Sequence, residues 1–134
     1  MIAVIDTSAL LRLFVPDGPV PDGLEEFFYG VEKGNNVALA PELLLAEAGN
    51  VLNKMAKAGL LTGEKHLDML SDILNMPVRY VRHRDLMHRS LELAAKHGLT
   101  VYDSLFLTLA LEKAGKLFSA DDKLLNAARK LSLQ

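Results

Sequence analysis

The sequence predicts an α/β fold, a three-layer α/β/α sandwich around a short-stranded central parallel sheet. Short apolar runs alternate along the chain with longer segments of helical periodicity. Glycine, proline or polar clusters separate these segments, and such residues end helices and strands. Strands that alternate with helices pair in parallel, because the crossover helix brings each new strand back in the same direction. We interpret residues 1–134 as a single domain, which is large enough for one hydrophobic core.

Four strands are predicted from the short apolar runs at residues 2–5, 37–40, 78–81 and 116–119. The first run is rich in β-branched residues and stops at the polar segment Asp6-Thr7-Ser8, which is typical of a buried strand. Met76-Pro77 separates the third strand from the helix before it, because proline interrupts a helix.

Seven helices are predicted, at residues 9–14, 24–32, 41–58, 62–74, 83–97, 101–114 and 121–131. The first is stopped near Pro16 by a stretch rich in proline and glycine. Pro41 suits the first position of the third helix, where no backbone N–H is needed. Gly59, Gly98 and Gly115 end later helices, since glycine readily adopts the left-handed conformation found there.

The composition excludes several kinds of site. Because the chain has no cysteine, any metal must be bound through oxygen or imidazole ligands. Half of the residues are apolar, which favours a buried partner interface, although a helix-rich core also accounts for it. No apolar run approaches the ~20 residues that span a bilayer. No basic segment precedes a hydrophobic stretch at the N-terminus, so we expect a cytoplasmic protein without membrane contact.

The net charge of −2 does not support nucleic-acid binding, but the charge is uneven. Residues 79–97 hold five Lys or Arg and three His against two acids. A solvated helix face is the favoured interpretation, and a local phosphate-contacting patch is the alternative.

Four acidic residues lie inside or directly after apolar segments, each near the start of a helix: Asp6, Glu47, Asp103 and Asp121. A carboxylate near an apolar core needs a partner, a proton or a metal, since an unpaired buried charge is costly. Asp6 and Asp121 follow strands, and Glu47 lies early in the helix after the second strand. These three are therefore expected at the carboxyl-end rim of the sheet. Topology alone does not place Asp103, but it shares a helix face with apolar residues, so we expect it to point towards the core.

Helix capping is the alternative role for the three aspartates. Asp6 can cap the first helix, Asp103 can form a capping box with Thr100, and Asp121 or Asp122 can cap the last helix. Glu47 lies within a helix and caps nothing. The four acids together therefore favour a site for one or two Mg²⁺ or Mn²⁺ ions, which prefer oxygen ligands. The chain has no Gly-rich phosphate-binding loop, which argues against an NTPase.

The order of these segments resembles the PIN-domain family, and within it the VapC-type toxins of toxin–antitoxin pairs. The matching residues are Asp6-Thr7-Ser8, Glu47 with Asn50, Thr100-Val-Tyr-Asp103-Ser104, and Ser119-Ala-Asp121. The resemblance extends over essentially the whole chain. It implies a metal-dependent endoribonuclease in which Asp6, Glu47, Asp103 and Asp121 bind Mg²⁺ or Mn²⁺ and carry catalysis.

The resemblance also assigns supporting roles. Ser8 and Ser119 would orient the carboxylates, with Asn50 and Asp122 as further contributors. Asp121 is chosen over Asp122 because it stands two residues after Ser119, as in the Thr-x-Asp pattern of the family. The implied reaction is attack by a metal-activated water on single-stranded or looped RNA, leaving 5′-phosphate and 3′-hydroxyl ends. The implied partners are a second copy in a homodimer and an antitoxin whose tail occupies the active-site groove.

Other classes fit less well. A receiver-type phosphoacceptor needs paired acids after the first strand and a lysine at the end of a late strand, but Asp6 stands alone and Lys116 begins its strand. A haloacid-dehalogenase-type phosphatase needs an aspartate where Ser8 stands. A non-toxin PIN nuclease of RNA processing and an inactive PIN-like binding module remain as alternatives.

Overall fold

Four short parallel strands form one sheet in the computed structural model, which describes residues 1–133 apart from the side chain of Ala114. The last residue of the predicted domain, Gln134, lies outside the described residues. The strands are β1 (Ile2–Ile5), β2 (Val37–Pro41), β3 (Val78–Val81) and β4 (Leu117–Phe118), in the spatial order β3-β2-β1-β4. Val4 of β1 pairs with Leu39 on one side and Leu117 on the other. The predicted parallel sheet is confirmed.

The described residues form seven α-helices: α1 (Thr7–Leu11), α2 (Leu24–Glu32), α3 (Leu43–Lys57), α4 (Lys65–Leu74), α5 (Met87–His97), α6 (Val101–Leu109) and α7 (Asp122–Lys130). A 3₁₀ turn, His83–Leu86, precedes α5, and a π-helical turn, Ala110–Ala114, follows α6. No helix in residues 1–133 combines the length and apolar character that crossing a bilayer requires.

Strand order explains the three layers. The chain moves in one direction from β1 through β2 to β3 and then returns to β4 on the far side of β1. Because crossover connections are right-handed, reversing direction moves the connecting helices to the opposite face. Helices α2 and α3 contact β2, whereas α6 contacts both β1 and β2. The reversal makes the carboxyl ends of β1 and β4 the switch point, where open parallel sheets bind ligands.

Helix α6 forms the centre of the core. Its residues from Ser104 to Leu109 are all buried, as expected for a helix covered on every side. Its two buried hydroxyls are satisfied by α5: Ser104 Oγ donates to Ser90 O at 2.6 Å, and Ser90 Oγ bonds Thr108 Oγ1 at 2.9 Å. This packing fixes the start of α6, which carries Asp103.

Two predicted boundaries at the rim are wrong. Helix α1 begins at Thr7 rather than at residue 9, because Asp6 caps it by accepting a 2.8 Å bond from Ala9 N. Pro41 ends β2, paired with Val81, instead of opening α3. Proline is tolerated at a strand end because little further ladder pairing is lost there.

Two predicted helices change pitch within their predicted lengths. The 83–97 segment begins as a 3₁₀ turn and becomes α-helical at Met87. The 101–114 segment widens at Ala110 into the π-helical turn, where Gly115 N donates to Ala110 O at 2.8 Å. Apolar periodicity identifies a helix but does not distinguish its hydrogen-bond pitch.

Candidate metal centre

The four predicted acids surround one cleft of about 400 Å³ at the carboxyl-end rim of the sheet. Asp6 lies where β1 ends, and Asp121 lies just after β4. Glu47 lies in the second turn of α3, and Asp103 lies in the first turn of α6. Asn50 and Ser8 also line the cleft. The adjacent Asp122 is exposed and does not contribute to this wall.

Asp6 is held more firmly than the other acids. It is 5% exposed, and each carboxylate oxygen accepts a hydroxyl hydrogen bond. Ser8 Oγ donates to Oδ1 at 2.7 Å, and Ser119 Oγ donates to Oδ2 at 2.5 Å. Burial raises the pKa of Asp6 to about 6. The hydrogen bonds from Ser119, Ala9 N and Ser8 lower this pKa, and the charge of Asp103 raises it.

Ser8 and Ser119 also connect Asp6 to the segment that carries Asp121. Ser119 Oγ accepts from Asp121 N at 2.9 Å while it donates to Asp6. Ser8 Oγ accepts from Ala120 N at 2.9 Å, and the two hydroxyl oxygens are 3.4 Å apart. The end of β1 and the turn after β4 are thus joined through two side chains, which sets the separation of Asp6 and Asp121.

Glu47 is oriented by a residue outside the predicted site. Thr7 Oγ1, in the first turn of α1, donates a 2.7 Å bond to Glu47 Oε1. Burial raises the pKa of Glu47, the Thr7 bond lowers it, and the charge of Asp103 raises it. Thr7 lies in the segment Asp6-Thr7-Ser8 that resembles the family, but no role at the site was predicted for it. Its position beside Asp6 was the available signal for the additional role.

Asp103 is the acid that couples to the other three. Burial and then the charge of Asp121 raise its pKa, whereas the Thr100 hydrogen bond and the charge of Lys123 lower it. Asp103 in turn raises the pKa of both Asp6 and Glu47. Thr100 Oγ1 accepts from Asp103 N at 3.1 Å, which is the Thr100 half of the predicted capping box, and Asp103 also lines the cleft.

Asp121 combines both roles considered for it. Its Oδ1 accepts from Lys123 N at 2.9 Å and from Leu124 N at 3.4 Å, which caps α7. It also lines the cleft and repels Asp103. A cap uses one carboxylate oxygen and leaves the other available.

The donor set matches the chemistry of Mg²⁺ or Mn²⁺. Within residues 1–133, no three acidic or imidazole side chains are placed closely enough to hold one ion as they stand. Mg²⁺, however, usually binds one or two carboxylates and keeps several waters. Three acids with raised pKa values around one cleft are also an arrangement that a bound cation relieves.

Comparison with known proteins agrees with this architecture. The family model described as "PIN domain" matches residues 3–130. The chain belongs to the PIN-domain family. This PIN domain is 29% identical over 123 residues to "Ribonuclease VapC3" of Pyrobaculum aerophilum, an alignment that covers 90% of each chain. The predicted resemblance to VapC-type PIN domains is thereby confirmed.

The fold of this PIN domain is also found in a solved structure. The crystal structure of PAE2754 from Pyrobaculum aerophilum superposes with a TM-score of 0.69 at 23% identity, covering 99% of this chain and 88% of the other. The predicted three-layer fold is confirmed.

Two further charged residues of this PIN domain line the cleft and were not predicted. Arg12 follows α1, and Asp17 lies in the loop after it. Arg12 lies within the helix predicted at residues 9–14, and Asp17 lies in the stretch rich in proline and glycine that was predicted only to stop this helix. Neither residue belongs to a motif that resembles the family, so their position at the cleft was not predicted.

Proposed function

We propose that this PIN domain is a Mg²⁺- or Mn²⁺-dependent endoribonuclease and the toxin of a toxin–antitoxin pair. The observation that carries the proposal is the convergence of Asp6, Glu47, Asp103 and Asp121 on one cleft. Helix capping accounts for Asp6 and Asp121 individually, but it does not explain why all four acids line the same cleft. The similarity to a protein named as a VapC ribonuclease supports RNA as the substrate.

In this proposal the four acids hold one or two ions. A bound ion would supply an activated water and would neutralise the charge that develops in phosphodiester hydrolysis. Ser8 and Ser119 keep the Asp6 carboxylate in one orientation, and Thr7 does the same for Glu47. Asn50 lines the same cleft, and its amide is a group that can donate to a phosphate oxygen. The expected products carry 5′-phosphate and 3′-hydroxyl ends.

A metal titration followed by an RNA-cleavage assay tests the proposal. Mn²⁺ should raise the Tm of the wild type, with a stabilisation of about 2.7 kcal/mol at a metal concentration one hundred times Kd. Asp6→Asn should lose this response, whereas Asp72→Asn, an exposed acid on α4, should keep it. Equal responses of wild type and Asp6→Asn would argue against metal binding by the four acids. Metal binding without cleavage of any structured or unstructured RNA would support an inactive binding module instead.

The toxin assignment adds two protein partners, a second copy of the chain and an antitoxin. Large apolar side chains are exposed on the α3–α4 region and on α5, namely Leu60, Leu67, Leu74, Met87 and Leu91. Burial of such side chains in an interface is favourable. Light scattering of the purified protein should give the mass of a dimer. Co-expression with a neighbouring reading frame that encodes a small DNA-binding protein should yield a complex with suppressed cleavage. A free monomer in both light scattering and co-expression would argue against the toxin assignment.

A further inference from the structure

We infer that Arg12 binds a phosphate of the RNA chain beside the four acids, and that the loop Asp17-Gly18-Pro19 orients its guanidinium for this contact. The inference rests on the proposed function, because it assigns a substrate-contacting residue to the same cleft. Among the described residues that line the cleft, Arg12 is the one that carries a positive charge.

The Arg12 side chain has a defined position at the cleft. Nη1 donates to Pro19 O at 3.1 Å. The guanidinium also lies directly against Gly18, where a Cβ atom would approach Cζ to 2.7 Å. Gly18 has a φ of +150°, a conformation that favours glycine. A glycine at this position therefore allows both the loop conformation and the close contact with the guanidinium.

The hydrogen bond that positions the Arg12 guanidinium goes to a backbone carbonyl, Pro19 O, and not to one of the four acids. A cation that lies at the cleft and does not pair with the acids is available to bind a ligand.

The chemistry of guanidinium suits a phosphodiester. It carries five N–H donors in a planar fork, and only the bond to Pro19 O is made within the loop. An RNA strand approaching the four acids meets net repulsion unless a cation faces its backbone. Phosphate contacts of this kind set the position of the strand and do not depend on its sequence. Arg12 is thus expected to align the chain with the acids.

Equilibrium binding measures this contact separately from cleavage. A fluorescent single-stranded RNA is titrated in EDTA, where the proposed metal-dependent reaction cannot run, at several salt concentrations. For Arg12→Gln, the slope of log K against log[salt] should fall in magnitude by about 0.7, the value for one phosphate contact on a single strand. Arg129→Gln is the matched control, because Arg129 is exposed on α7 and bonds only Asn126 Oδ1 in its own helix.

Kinetics and metal binding complete the experiment. Arg12→Gln should lower kcat/KM about tenfold while the Mn²⁺-induced rise in Tm stays that of the wild type. Gly18→Ala should lower kcat/KM in the same direction, since a Cβ displaces the guanidinium while the charge is retained. Arg12→Lys keeps the charge without the fork and should fall between the wild type and Arg12→Gln.

Three results would overturn the inference. One is an Arg12→Gln protein with the salt slope and affinity of the wild type. Another is a loss of the Mn²⁺ response in Arg12→Gln, because Arg12 would then act on the metal site. The third is a Gly18→Ala protein with wild-type kcat/KM, which removes the role of the loop. If the wild type neither cleaves RNA nor responds to Mn²⁺, the proposed function is wrong. The salt dependence of RNA binding in EDTA then still tests whether Arg12 contacts the RNA.

Discussion

Thr7 Oγ1 donates a 2.7 Å hydrogen bond to Glu47 Oε1 across forty positions of the chain. The bond joins the first turn of α1 to the second turn of α3, two helices that pack against each other. It holds one acid of the cleft in place relative to the Asp6 segment. The same segment, Asp6-Thr7-Ser8, therefore contributes an acid and orients two acids.

The Thr7–Glu47 bond predicts a loss of metal affinity in Thr7→Val. Valine keeps the shape of the side chain and removes the donor, so Glu47 becomes more easily protonated and less well oriented. We expect Mn²⁺ affinity to fall about tenfold, measured by calorimetry at neutral pH. Thr62→Val, at an exposed position before α4, is the control. Equal affinity in Thr7→Val and wild type would show that the bond does not serve the site.

Asp6 predicts an unusual pH dependence in the metal-free protein. Its folded pKa of about 6 lies above the ordinary aspartate value of 3.8, so the folded state holds the proton more tightly than the unfolded state. The contribution of Asp6 to the free energy of unfolding is therefore present at low pH and is lost as pH rises from about 4 to about 6. The loss amounts to about 3 kcal/mol.

Urea unfolding in EDTA from pH 4 to pH 8 measures this effect as the difference between wild type and Asp6→Asn. Asparagine still caps α1 and does not titrate in this range. The wild type should lose stability relative to the variant as pH rises. Mn²⁺ should reverse the trend, because it binds the ionised carboxylate. Parallel pH profiles for the two proteins would mean that burial does not raise the pKa of Asp6 as described.

Ser119 connects two acids, so its removal should affect both. In Ser119→Ala, Asp6 Oδ2 loses its donor and Asp121 N loses its acceptor. We expect at least a tenfold loss of Mn²⁺ affinity and a higher pKa for Asp6. Ser119→Thr retains the hydroxyl and should bind like the wild type. Ser71→Ala, which removes an exposed hydroxyl on α4, should also have no effect. The prediction fails if Ser119→Ala and Ser71→Ala give the same metal affinity.

The adjacent aspartates Asp121 and Asp122 make a matched pair of substitutions. Asp121 lines the cleft and repels Asp103, whereas Asp122 is exposed. Asp121→Asn keeps the cap of α7 and should weaken Mn²⁺ binding. Asp122→Asn removes the same charge one residue away and should leave binding unchanged. The reverse result would assign the fourth ligand to Asp122.

Local patterns were sufficient to predict most of the fold. Short apolar runs and helical periodicity located all four strands and the order of the helices, because both patterns depend on neighbouring residues. Two of the boundary errors lie at the rim. Asp6 extends α1 backwards by capping it, and Pro41 pairs with β3 instead of opening a helix. The pairing of Pro41 with Val81 depends on a long-range contact that a local window does not contain, whereas the Asp6 cap is a local contact with Ala9.

The rim position of Asp6, Glu47 and Asp121 also followed from the order of segments, since parallel strands end at one edge of their sheet. Tertiary packing decided the remaining features of the cleft. It rotated α6 so that Asp103 couples to three other acids, brought Thr7 to Glu47, and turned Asp121 rather than Asp122 inwards. Packing also placed Arg12 against Gly18 at the same wall. The physical reason is that topology specifies which strand ends meet, whereas side-chain partners depend on how each helix is rotated and seated against the others.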